Sequence, residues 1–298
     1  MITIFGSTNL DQIGTVTRLP KPGETVAGGT FSMAAGGKGA NQALAARRAG
    51  AEVLHVSAVG NDAFAGLATE LLDKGGVDLS LLRTAEAATG IAMIFVDADG
   101  ENVIAILPGA NGTISPQDAG TGLHALSSAD TLLVQQEVPQ AATRRALEIA
   151  REKGARSVLN TAPYLPDTAE LAPLADIVIA NETEFSLLSG RPISELNQAM
   201  ADWVKQTGRT IVVTLGPDGA RAVTPEGTIS VPAHKVEPVD TVGAGDTFCG
   251  YLAAALDAGL DLETAMRRAA IAGSLACLKP GAQPAIPLKA DVDAVLGT

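Results

Sequence analysis

Short apolar runs of strand length recur along this chain, most of them followed by a longer amphipathic stretch. That alternation restricts the fold more than any other property of the sequence. Residues 2–5, 53–58, 131–135, 157–160, 177–180 and 210–214 read as strands, and 39–49, 64–74, 140–153 and 196–207 as helices between them. This order predicts an α/β fold: a doubly wound, mainly parallel sheet with helices on both faces. Sheets of that kind bind ligands beyond the carboxyl ends of their strands. Two regions interrupt the pattern. Residues 12–34 read as extended pieces around Pro20 and Pro22, and 89–107 as a hairpin turning at Asp99-Gly100. They are expected to form a small sheet standing off the main one, a lid or a dimer surface, within a single domain spanning 1–298.

Hydrophobic residues make up 46% of the chain but aromatic ones only 3%, so Ala, Gly, Val and Leu must fill the core. The formal net charge of −12, with no basic stripe and no aromatic platform, argues against a nucleic-acid partner. No apolar run approaches membrane-spanning length and the start does not read as a signal peptide, so the expected setting is soluble and cytoplasmic. His55, His124 and His234 match no metal-ligand spacing, and Cys249 and Cys277, both in Ala-rich stretches, read as buried thiols.

Two glycine clusters each precede an apolar helical run. In Asp240-Thr241-Val242-Gly243-Ala244-Gly245-Asp246-Thr247-Phe248, carboxylates flank a Gly-rich turn before a helix expected over 248–260. Unobstructed N–H groups at a helix start form an anion site, and a carboxylate beside one can deprotonate an attacking hydroxyl. An ordinary helix cap explains Asp246 equally well. The second cluster, Gly36-Gly37-Lys38-Gly39-Ala40-Asn41, is not a Walker A loop, because Ser32 and Gly39 stand where Gly and Ser or Thr are required. Neither cluster completes a Rossmann fingerprint. The second suits a polyhydroxyl ligand held by N–H groups and the Asn41 amide, or simply a tight turn.

Other polar groups fall at strand ends. Asn9 and Asp11 follow the first strand at alternate positions, and Gln135, Gln136 and Glu137 close another. Asn181-Glu182-Thr183-Glu184 fits a capping box, or a site where Glu184 reaches a metal-bound water. Thr214-Leu215-Gly216-Pro217-Asp218-Gly219 can accept a nucleotide edge or reverse the chain. All of these converge on one rim of the predicted sheet.

Collinear over essentially the whole chain, these segments resemble the ribokinase-like (PfkB) carbohydrate kinases. Pro22-Gly23-Glu24-Thr25, Gly100-Glu101-Asn102 and Pro108-Gly109-Ala110-Asn111 match the lid and its exit, and Gly281-Ala282-Gln283-Pro284 a loop closing a cation site. The resemblance implies an ATP-dependent kinase acting on a sugar primary hydroxyl, D-ribose first. Other small sugars or nucleosides are alternatives, and a non-catalytic sensor is a further one. It implies sugar contacts from Asn9, Asp11, Gly37, Lys38, Gly39, Ala40, Asn41 and Glu137, with Asp246 as base and Gly243, Ala244 and Gly245 as anion hole. Asn181, Thr214, Leu215, Gly216, Pro217, Asp218, Gly219 and Gly245 would hold ATP, and Glu184 would organise Mg²⁺. A potassium site would draw on Asp240, Val242, Ala276, Lys279 and Gly281, and paired lids imply a homodimer. Three positions depart from the family's usual pattern: Ala285 at the cation site in place of a serine, Ala270 near the adenine, and polar Gln136 beside the sugar.

Overall fold

The computed structural model describes residues 1–297. Along the first half run strands β1 (Ile2–Phe5), β2 (Asn9–Val16), β3 (Gly28–Gly36), β4 (Val53–Gly60), β5 (Leu82–Ala85), β6 (Gly90–Val96), β7 (Asn102–Leu107) and β8 (Thr131–Val134). The second half adds β9 (Arg156–Asn160), β10 (Ile177–Asn181), β11 (Thr210–Thr214), β12 (Ala220–Thr224) and β13 (Gly227–Val231). The helices are α1 (Lys38–Arg48), α2 (Ala63–Gly75), α3 (Pro116–Gly122), α4 (Gln140–Lys153), α5 (Thr168–Leu171) and α6 (Glu182–Ser189). They continue with α7 (Leu196–Thr207), α8 (Ala244–Asp257), α9 (Leu262–Ala276), α10 (Ala282–Ala285) and α11 (Lys289–Leu296).

Nine strands form the main sheet in the order β13-β12-β11-β10-β9-β8-β1-β4-β5. Neighbours from β5 through β11 pair in parallel, and only the β11–β12–β13 edge is antiparallel. The period-two alternation of a strand divides its side chains between two apolar layers. Ile177 and Ile179 point into one, with α1, α8 and α9, while Val178 and Ala180 point into the other, with α4 and α7. This is the doubly wound architecture expected from the sequence. Helix ends carry the expected punctuation: the Asp62 carboxylate accepts from the first N–H groups of α2, and a left-handed Gly76 closes it.

A separate sheet, in the order β3-β2-β6-β7, contains the two interrupting regions. Asn9 pairs with Gly36 on one side and Gly90 on the other. Asn9 and Asp11 therefore belong to this second sheet, not to the end of β1. Three other expectations are corrected. The α8 helix begins at Ala244, so Asp246 lies inside its first turn. The strand expected to 135 stops at Val134, which frees Gln135 from the ladder. Cys277 is only partly buried, at the end of α9, whereas Cys249 is buried as expected. The β12–β13 hairpin was not legible, because Arg221 and Thr224 break up the apolar run of β12.

Candidate active site

Because β11, β10, β9, β8 and β1 are adjacent and parallel, their carboxyl ends bring Thr214, Asn181, Asn160, Gln135 to Glu137, and Ser7 to a common edge. The N-termini of α1 and α8 enter at the same place. Helix α1 has no side-chain cap of its own. Its first N–H, on Lys38, donates to Glu137 Oε2 at 2.9 Å, and the Ser7 hydroxyl donates to the same oxygen at 2.6 Å. A carboxylate at a helix N-terminus is favourable for the unpaired N–H groups and for the dipole alike. At Gly39 a Cβ would lie 2.5 Å from the Ser7 nitrogen and 2.7 Å from the Gly6 carbonyl carbon, so only glycine lets α1 lie on the turn after β1.

Gly243 caps α8 in the left-handed region at φ 77, and a Cβ there would come within 2.8 Å of the Ala282 methyl. The following N–H groups, of Gly245 and Asp246, precede the first possible intrahelical acceptors. Asp246 does not cap the helix. Its carboxylate, in a residue only 7% exposed, accepts from Asn41 Nδ2 on one oxygen and Gln42 Nε2 on the other, both at 2.9 Å. Asn41 Oδ1 is buried without a partner, an acceptor available to a ligand hydroxyl.

Asn111 organises the turn between β1 and β2. It accepts from the Thr8 N–H at 2.9 Å and donates to Asn9 Oδ1 at 2.7 Å, fixing which end of Asn9 faces inward. Asp11 lies over Gly36, where a Cβ would meet its oxygens. Burial first, then the Glu137 and Asp246 carboxylates, raises its pKa to about 7 against the opposing Lys38 charge. Lys38 is itself held above its ordinary value, first by Asp246 and further by Glu137 and Glu184, in spite of burial.

For Asp11 the folded pKa of about 7 lies above the ordinary aspartate value of 3.8. Between these values the native state binds more protons than the unfolded one, so this group's stabilisation is complete below the lower value and is lost as pH rises through the upper one. Asp11→Asn should flatten that slope and raise stability at pH 8 by on the order of a few kcal/mol at most. Thermal unfolding of both proteins at pH 5 and pH 8 measures it, and parallel profiles would remove Asp11 as the cause.

Asn181 and Glu184 form a reciprocal capping box at the start of α6, at 2.7 and 3.0 Å. Thr161 Oγ1 also donates to Glu184 Oε2, at 3.1 Å, leaving Oε1 without a protein partner. Thr214 to Gly219 turns back into β12, closed by the Leu215 N–H on the Gly219 carbonyl at 2.8 Å. Asp240 accepts from the N–H groups of Val242 and Gly281 at 3.0 and 2.8 Å, tying the turn before α8 to the 279–281 loop. Ala276 and Ala285 are buried beside that junction, and Ala270 packs into the apolar layer around α8 and α9. No group of three or more His, Cys, Asp or Glu side chains able to hold a metal occurs among the described residues. Nor is any helix among them long and apolar enough to cross a membrane.

The family model for pfkB carbohydrate kinases matches residues 1–289. The chain belongs to the pfkB family of carbohydrate kinases. It is 40% identical to a Staphylococcus aureus ribokinase over 99% of both chains. It is 33% identical to a Salmonella typhi deoxyribokinase, over 96% of this chain and 95% of that one. The solved Arabidopsis thaliana ribokinase, a complex with ribose and ATP, is 31% identical and superposes with a TM-score of 0.90, covering 100% of this chain and 98% of that one.

As a pfkB kinase the chain brings together, at one edge, both Gly clusters, Asn9, Asp11, Glu137, Asn181, Glu184 and Thr214. The Asp240 loop joins them through the turn before α8. Sequence reasoning did not single out Gln42, Asn160 or the orienting role of Asn111. Gln42 and Asn111 adjoin or end motifs that were read, but nothing local assigns them a partner.

Proposed function

We propose that this protein phosphorylates the primary hydroxyl of a small sugar at the expense of ATP, with D-ribose as substrate and D-ribose 5-phosphate as product. The observation that carries the reading is a buried carboxylate, Asp246, in the first turn of a Gly-capped helix. It faces an amide whose own acceptor is unpartnered. In-line transfer needs little beyond positioning and charge stabilisation. The O5 proton passes to Asp246, O5 bonds to the γ-phosphorus, and the bond to the β–γ bridging oxygen breaks to release ADP. Backbone N–H groups of Gly245 and its neighbours, beside Gly243 and Ala244, face the developing charge. Asn9, Asp11, Gly39, Asn41 and Glu137 hold the sugar, and Asn181 with Thr214 to Gly219 lines the nucleotide site.

The open oxygen of Glu184 fits water-mediated contact to Mg²⁺, which would neutralise phosphate charge when bound. Asp240, which already gathers the Val242 and Gly281 N–H groups, would supply potassium with a hard oxygen ligand, joined by carbonyls of Val242, Ala276, Lys279 and Gly281, with Ala285 contributing no hydroxyl. Such a kinase would act in the cytoplasm, where its ATP is. Exposed Phe31, Ile104, Val103 and Ile106, between 46% and 66% accessible, leave the small sheet with apolar surface that a paired lid in a homodimer would cover. Sedimentation as a monomer at micromolar concentration would rule that pairing out.

Deoxyribose is the second reading, favoured by the similarity to a deoxyribokinase. ADP release over ribose, deoxyribose, ketohexoses and nucleosides, with and without potassium, separates them. Ribose should give the highest kcat/KM, and potassium should raise turnover. Saturable turnover on another sugar with none on ribose would overturn the substrate, and equal rates without potassium would overturn the cation site.

A further inference from the structure

The side chain of Gln42 is fully buried on α1 and spends every hydrogen-bonding group it has. Its Nε2 donates to Asp246 Oδ1 at 2.9 Å and to Asn160 Oδ1 at 3.1 Å, and its Oε1 accepts from Gln135 Nε2 at 2.7 Å. Asn160 is oriented in turn, since its Nδ2 donates to the Ile179 carbonyl at 3.3 Å. A reversed Gln42 amide would set its oxygen against the carboxylate and its NH₂ against the NH₂ of Gln135. The acceptors Asp246 Oδ1 and Asn160 Oδ1 fix the orientation of Gln42, and Gln135, whose own Oε1 is buried without a partner, holds it from the other end by donating to Gln42.

The helix crossing makes this reach rigid. Gly250 lies four residues beyond Asp246 on the same face of α8, and a Cβ there would stand 2.5 Å from the Ala45 Cβ and 2.6 Å from the Gln42 carbonyl oxygen. The two helices therefore touch backbone to backbone one turn from the carboxylate. Asn41, on the other oxygen of Asp246, keeps an unpartnered acceptor and can exchange its contact for a ligand. Gln42 cannot.

We propose that Gln42 is a positioning residue for Asp246, fixed by Gln135 and Asn160. It locks Oδ1 so that Oδ2, on the Asn41 side, is the oxygen that takes the substrate proton. This inference rests on Asp246 being the base. Carboxylate misorientation of the kind a lost donor allows can cost on the order of 100-fold in rate without altering ground-state binding.

The test is steady-state kinetics of Gln42→Met and Gln135→Met, each alone, together, and with Asp246→Asn. Gln42→Met should lower kcat about 10- to 100-fold while sugar KM moves less than about threefold. Gln135→Met should lower kcat by a smaller factor and add little once Gln42→Met is present. With Asp246→Asn in place, Gln42→Met should cost no more, a result that a packing defect would not produce. Wild-type kcat in Gln42→Met, or the same loss in both backgrounds, overturns the proposal. Should Gln42→Met not fold, Gln135→Met alone decides: a reduced kcat at unchanged KM supports it, and an unchanged kcat overturns it. An inert Asp246→Asn beside an unaffected Gln42→Met sinks this inference alone, whereas an active Asp246→Asn sinks the base assignment as well.

Discussion

Asp246→Asn is expected to lower kcat by on the order of 10²- to 10⁴-fold, the range a positioned general base supplies. The substitution keeps the volume of the side chain and offers Gln42 an oxygen where Oδ1 now accepts. On the other side it presents an NH₂ toward Asn41, whose unpartnered Oδ1 can turn to accept it. Folding is therefore expected to survive, and the sugar KM to change only a few-fold. A rate that falls with KM nearly constant places the loss in the transition state and not in binding. Retention of near-wild-type turnover would show that the proton leaves by another route.

Gly39→Ala is expected to lower stability and weaken the site together. The added methyl would meet backbone, at 2.5 Å from the Ser7 nitrogen and 2.7 Å from both the Gly6 carbonyl carbon and the Ser7 carbonyl oxygen. No flexible side-chain end is available to move away, so α1 must lift from the turn after β1. Overpacking of this kind costs about 1–3 kcal/mol. For a chain of this length that lowers the melting temperature by roughly 2–5 °C. The displaced first turn also loosens the grip of Glu137 on the Lys38 N–H and the Ser7 hydroxyl, so sugar KM should rise with it. Calorimetry and sugar titration measure the two effects; a variant with wild-type values in both would mean that the turn yields at no cost.

The parallel centre of the sheet was legible because its strands are short runs of Ile, Val, Leu and Thr with helical stretches between them. The antiparallel edge was not, since Arg221 and Thr224 give β12 the look of a loop until β11 supplies its partner. Gly243 and Gly245 are weak helix formers and mask the helical Ala244 between them, which is why α8 starts earlier than its apolar run suggests. That earlier start matters for chemistry: it moves Asp246 from the approach to a helix into its first turn, where Gly243 already caps. Asp246 itself was visible from the glycines around it. The residue that orients it was not, because glutamine in an Ala-rich helix is an ordinary helix former and the Asp246 contact spans 204 positions. Glu137 illustrates a double use: read as a sugar ligand, it also supplies the N-terminal cap that α1 lacks. The capping box at Asn181 and Glu184, one of two readings open from the sequence, forms while still leaving one carboxylate oxygen unused.

The most direct measurement is ³¹P NMR of the products when the protein is incubated with ATP, Mg²⁺, potassium and D-ribose. One equivalent of ADP and a phosphomonoester on O5 of the sugar is the expected result. Phosphate on the anomeric oxygen, or ADP formed with inorganic phosphate and unmodified ribose, would contradict transfer to a primary hydroxyl positioned at Asp246.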